Sequence, residues 1–156
     1  MKKINRYCLF LSIFALIAIM IIAAVNMLFR PFGYPLTGSF ELMGYGSAII
    51  TGLGLGFSYE QKSHIAVDIV FKKFPKKVRL FLSSIGNMAC AIFFFLVSKK
   101  MLNIAVGFKE SGELSETLRV PFYPVTIAVA FGLFVLSLNI IYSIYVEIKK
   151  ERSLIK

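Results

Sequence analysis

Apolar positions along this chain come in four long blocks rather than in short alternating runs. Tyr7 to Phe29 contains no charged residue at all. Phe40 to Tyr59 carries one acid, Glu41, near its start, and Val78 to Val97 has Arg79 only at its beginning. Val120 to Val146 is again free of charge. A helix crosses a hydrocarbon core of about 30 Å with about 20 mostly apolar residues, and each block meets that length. No period-two alternation links several strands, so a transmembrane barrel is excluded. The pattern predicts an all-α integral membrane protein of four transmembrane helices forming one membrane domain over residues 1–156.

Between the second and third blocks the periodicity changes. Val67, Val70, Phe71 and Phe74 follow an i, i+3, i+4, i+7 spacing, with Lys72, Lys73, Lys76 and Lys77 off that stripe. This predicts a short helix lying in the headgroup plane, its lysines on anionic lipid and Pro75 ending it. His64 and Asp68 stand four residues apart, a spacing for capping or orienting this loop and too little for a metal site.

Composition narrows the class further. Hydrophobic residues make up 58% and charged residues 17%, with a mean hydropathy of +0.78, against about 25% charged in soluble domains. Disorder is excluded by the same apolar excess. A single His rules out a bis-histidine haem pair, and Cys8 and Cys90 form no CxxC motif.

The first block follows Lys2, Lys3 and Arg6, as a secretory signal does, but its 23 residues exceed the roughly 7–15 of a signal core. It is expected to stay as the first span. Of the 18 basic residues, 13 precede the first block, lie between the second block and the beginning of the third with Arg79 included, or follow the fourth. The other five are Arg30, Lys99, Lys100, Lys109 and Arg119. By the positive-inside rule both termini face the cytoplasm. The net charge of +10 is thus a topology signal, and no nucleic-acid partner is expected.

Three stretches could carry function. Gly44, Ala48, Gly52 and Gly56 recur every four residues and form a ridge of small side chains, suited to close helix packing in lipid. The ridge serves packing within the chain or docking of a second subunit, and docking is the sharper expectation. Gly52 to Gly56 lacks the third glycine and the lysine of a nucleotide loop. Glu41 sits where the second block begins; a membrane acid is a functional candidate, although a helix N-terminus also favours negative charge. The outer loop holds Glu110, Glu113 and Glu116 between Lys109 and Arg119, a solvated loop or a contact for an extracytoplasmic partner.

The run Glu41-Leu42, Tyr45, Gly52 and then His64-Ile65-Ala66-Val67-Asp68 resembles the small membrane subunit of TRAP transporters (tripartite ATP-independent periplasmic transporters, DctQ-like). Leu118-Arg119-Val120-Pro121 resembles that family's approach to its fourth helix. Where many members place Arg three residues after the acid, this chain has Gly44, and it contains no Trp. The resemblance covers essentially the whole chain. It implies a non-enzymatic scaffold in the bacterial inner membrane, partnered by a large transport subunit and a periplasmic substrate-binding protein. It implies uptake of organic acids, C4-dicarboxylate or sialic or sugar acid, by Na⁺ symport. The Na⁺ sites would lie in the large subunit, so this chain needs no cofactor. The competing class is a stand-alone proton-coupled exporter using Glu41.

Overall fold

The computed structural model describes the backbone of residues 2–34, 36–61 and 76–154, and the side chains of 3–34, 36–61 and 84–146. Four helices are present among these residues: α1 (Lys2–Phe29), α2 (Ser39–Glu60), α3 (Lys76–Ser111) and α4 (Tyr123–Leu154). One 3₁₀ turn, Arg30–Phe32, follows α1. No strand occurs among the described residues; one isolated bridge joins Leu114 to Pro121.

Among the described residues three segments are long and apolar enough to cross a membrane, namely Lys3–Phe32, Ser84–Ser111 and Tyr123–Val146. α2 falls short in apolarity because glycine occupies positions 44, 46, 52, 54 and 56, with Ser47, Thr51 and Ser58 between them. Its 22 residues still measure about 33 Å at 1.5 Å per residue.

The apolar pattern of Met101 to Phe108 runs on past Lys99 and Lys100, and α3 continues with it without a break to Ser111. One boundary differs from the expected span. Pro121 precedes α4 instead of lying in its first turn, whereas Pro124 is its second residue.

The helices do not close into a bundle. α1 packs on α2, α2 on α4, and α4 on α3, which gives a row in the order α1–α2–α4–α3, with α1 also reaching α4 at one end through Asn5 and Asn139. On α1, Asn5, Cys8 and Ser12 are buried, and half-buried Ala15, Ile19, Ile22 and Asn26 continue their alternating spacing of three and four. On α3, Ala91, Ser98 and Ala105 are buried at intervals of seven, facing Ala130, Leu133, Ser137 and Ile140 of α4. A three–four spacing with small residues at the seam is the left-handed packing that brings helices close in lipid. Reciprocal bonds fix the register of this antiparallel pair: Ser98 Oγ donates to the Ala130 carbonyl at 2.8 Å, and Ser137 Oγ to the Ala91 carbonyl at 3.0 Å.

α2 and α4 run parallel and touch backbone to backbone. A Cβ at Gly132 would stand 2.0 Å from the Gly52 carbonyl oxygen, and one at Gly52 would stand 2.9 Å from Val129 Cα. Neither helix tolerates a side chain at that crossing.

Candidate functional site

At one end of the row, α2 begins under the loop that joins α3 to α4. α3 stops at Gly112, whose φ of +65° suits glycine at a helix C-terminus. The Glu113 N–H returns to the Phe108 carbonyl at 3.3 Å, closing that cap. The loop then folds on itself: Ser115 N–H donates to the Val120 carbonyl at 2.9 Å, and Val120 N–H donates to Ser115 Oγ at 3.2 Å. This turns the amides of Thr117 and Leu118 toward α2, where Glu41 accepts both. Thr117 N–H reaches Oε1 at 2.8 Å and Leu118 N–H reaches Oε2 at 3.1 Å.

Gly38 completes the clamp. It precedes the first turn of α2 with φ +78°, and a Cβ there would lie 2.4 Å from Leu118 Cγ. Two steric demands thus converge on one glycine, positive φ and the Leu118 side chain. Phe122 sits edge-on to Tyr45, ring centroids 5.7 Å apart, and also meets Phe108 at 5.6 Å. The hydroxyls of Ser39 and Tyr45 are buried with no hydrogen-bond partner among the described residues.

At the other end, α1, α2 and α4 meet through a polar node. Asn5 and Asn139 are 1% and 5% exposed. Asn5 Nδ2 donates to Asn139 Oδ1 at 3.1 Å, and Asn139 Nδ2 donates to Asn5 Oδ1 at 2.8 Å. Asn5 Nδ2 also donates to Glu60 of α2. Gly56 admits the pair, since a Cβ there would be 3.2 Å from Asn139 Nδ2 and 3.5 Å from Asn5 Oδ1. Replacing either amide by an apolar side chain of similar size leaves the other short of its partners. Asn139→Leu or Asn5→Leu is expected to cost about 1–2 kcal/mol. Joint replacement should cost less than the sum, read as an unfolding cycle of the full chain in detergent. Simple additivity would show that the two amides do not act as a pair.

The expected residues therefore fall in different places. Glu41 anchors the α3–α4 loop by accepting the Thr117 and Leu118 amides. Tyr45 packs beside it, and Pro121 closes the loop through its bridge to Leu114. Glu110, Glu113 and Glu116 are exposed at this same end.

The glycine ridge is split. Gly52 and Gly56 are buried against α4 of the same chain, whereas a Cβ at Gly44 meets nothing within 4 Å and Ala48 is half-buried. Docking of a second subunit on Gly52 and Gly56 is corrected on this point, because α4 already fills that face. Lys76 and Lys77 are the first residues of α3. His64, Asp68, Lys72 and Lys73, with the expected headgroup helix, lie outside the described residues.

Sequence reasoning passed over Gly38, Asn5, Gly132 and the pairing of Asn139. Gly132 could have been found as the one glycine within Tyr123–Val146, and Asn5 as a polar residue continuing the inward stripe of α1. Among the described residues no group of three or more His, Cys, Asp or Glu could hold a metal ion.

A helical protein with three membrane-length apolar segments among its described residues, and with its buried asparagines and most of its buried serines bonded inside the chain, has the character of a multi-pass membrane subunit. Its sequence matches the family model described as tripartite ATP-independent periplasmic transporters, DctQ component, over residues 5–150, and the chain belongs to that family. That family is the small subunit of a transporter and not an enzyme family. No curated protein and no solved structure matches the chain.

Proposed function

We propose that this chain is the scaffold subunit of a Na⁺-driven, binding-protein-dependent transporter of organic acids, C4-dicarboxylate or sialic or sugar acid, in the bacterial inner membrane. α2 is the fourth crossing, both termini are cytoplasmic, and the end holding Glu41, Glu110, Glu113 and Glu116 faces the binding protein. A large membrane subunit carries the substrate and Na⁺ sites.

The observation that carries this reading is where the polar and apolar groups point. The buried serines Ser12, Ser98 and Ser137 donate to helix carbonyls, and Asn5 and Asn139 bond one another. A carrier of a charged solute needs polar groups free at mid-membrane, typically on broken helices. α1 and α3, by contrast, turn large apolar side chains outward, among them Phe10, Phe14, Ile17, Ile92, Phe93 and Leu96. Contiguous apolar surface of this kind suits lipid and a membrane partner. The exporter reading draws little from Glu41, whose two oxygens both accept loop amides.

The test is reconstitution in liposomes under a Na⁺ gradient with labelled C4-dicarboxylate or sialic acid. The chain alone is expected to give uptake no higher than empty vesicles, and addition of the large subunit and binding protein is expected to restore it. Na⁺-dependent uptake by the chain alone would overturn the scaffold assignment.

A further inference from the structure

The contacts between helices set which residues stand level across the row. Ser98 meets Ala130, Gly52 meets Val129 and Gly132, Ser12 lies beside Gly54, and Ile19 beside Gly46. Lys99 and Lys100, both exposed on the open face of α3, therefore lie level with the stretch of α1 between Ser12 and Ile19. That stretch is deep inside the charge-free run Tyr7–Phe29. If the row stood upright, two lysines would sit at mid-membrane, a costly position without an acidic partner.

The charge-free runs of all four helices resolve this conflict. They are bounded by Arg6 on α1 and Arg30 just after it, Glu41 and Glu60 on α2, Arg119 in the loop before α4 and Glu147 on α4, and Arg79 and Lys99 on α3. Carried across the contacts onto one axis, the midpoints descend in row order by roughly 5, 5 and 9 Å, at 1.5 Å per residue. The drop runs one way only, toward the end that holds Asn5 and Glu60. About 19 Å over three helix spacings of roughly 9 Å is a slope of about 35°, within the range known for membrane helices. A core of about 30 Å crossed at that slope takes about 24 residues of helix. This places its edges near Arg6 and Arg30, near Lys77 and Met101, and near Pro121 and Tyr145. The two acids of α2 fall within its terminal turns, and both are hydrogen-bonded inside the protein.

We propose that the row leans in the bilayer and that α3 binds phospholipid of the outer leaflet at Lys99 and Lys100. The ammonium groups meet headgroup phosphates, and the acyl chains lie along exposed Ile92, Phe95 and Leu96 on the cytoplasmic side of the lysines. Lysine stems are long enough to reach from an apolar face to the interface. The proposal rests on the four-crossing reading above.

The test uses the full chain in vesicles of phosphatidylethanolamine and phosphatidylglycerol, with Cys8 and Cys90 replaced by Ala. Nitroxide labels at Leu16→Cys, Met88→Cys and Leu102→Cys are read for depth against oxygen and a water-soluble nickel complex. The leaning row puts Leu16 and Met88 deep and Leu102 at the headgroups, with Met88 and Leu102 differing in depth by about 15 Å. Wild-type lysines should also hold phosphatidylglycerol in native mass spectrometry, and Lys99→Gln/Lys100→Gln should weaken this roughly tenfold.

A shallow Met88 with a deep Leu102 would mean an upright row and overturn the proposal. So would a Leu102 label shielded from both relaxants, the sign of an acidic protein partner over the lysines, or phosphatidylglycerol binding unchanged in the double variant. Impermeant thiol labelling of Glu113→Cys against a reporter at Lys156 tests the four-crossing reading separately. Only a same-side result there defeats it, whatever the depths.

Discussion

Gly132→Ala is expected to remove most of the folded chain from the membrane, although it adds a single methyl group. Its Cβ would stand 2.0 Å from the Gly52 carbonyl oxygen and 2.9 Å from the Leu53 amide nitrogen, both backbone atoms. No side-chain rotation relieves such a contact, so α2 and α4 must separate and lose close packing along the crossing. Overpacking of this kind costs about 3 kcal/mol or more, a large share of the stability of a chain this size. Gly52→Leu should act in the same direction, because Val129 Cα is in the way. Gly44→Ala is the control, since nothing lies within 4 Å of its added methyl. Membrane level and thermal unfolding in mild detergent give the readout. Normal folding of Gly132→Ala would show that α2 and α4 do not cross here.

The second large effect is local. Glu41→Ala should free the α3–α4 loop while leaving the helices in place. Both carboxylate oxygens are acceptors for loop amides, and alanine offers none. Hydrogen exchange at Thr117 and Leu118 should rise roughly tenfold or more, as expected when a local opening loses its restraint. Exchange in the middle of α4 should stay unchanged. Glu41→Gln keeps one acceptor oxygen and should fall between the two. Gly38→Ala attacks the same junction from below through its collision with Leu118 and the positive φ it requires. Unaltered exchange at both amides in Glu41→Ala would mean that the loop is held by its own hairpin bonds alone.

The helices were legible because long apolar runs bounded by charge report on the chain alone. Tyr7–Phe29 and Val120–Val146 map onto α1 and α4 within a few residues at the outer ends, and Glu41 does open α2. The far end of α3 was partly legible: Met101 to Phe108 carries the apolar pattern past Lys99 and Lys100, and the helix follows it to Ser111 because backbone hydrogen bonding ignores side-chain charge. Helix order in the row was not legible at all. It depends on which small residues meet across space, and Gly132 signals nothing until it is paired with Gly52. The ridge illustrates the limit: Gly52 and Gly56 lie against α4 while Gly44 meets nothing within 4 Å, and spacing alone does not say which positions are approached or whether the approaching helix belongs to the same chain. The amide pair was hidden for the same reason, with Asn5 and Asn139 at opposite ends of the sequence.

The row order also bears on how the protein is made. α3 leaves the ribosome before α4, yet among the described residues its main packing is on α4. Until α4 arrives, α3 has no seam for Ala91 and Ser98, and Gly52 and Gly56 of α2 lack the helix they pack against. α4 is thus the keystone, and its insertion between α2 and α3 completes both seams at once. A ribosome stalled before Tyr123 would leave an α1–α2 hairpin and a stray helix, the kind of half-built product that membrane quality control is equipped to clear.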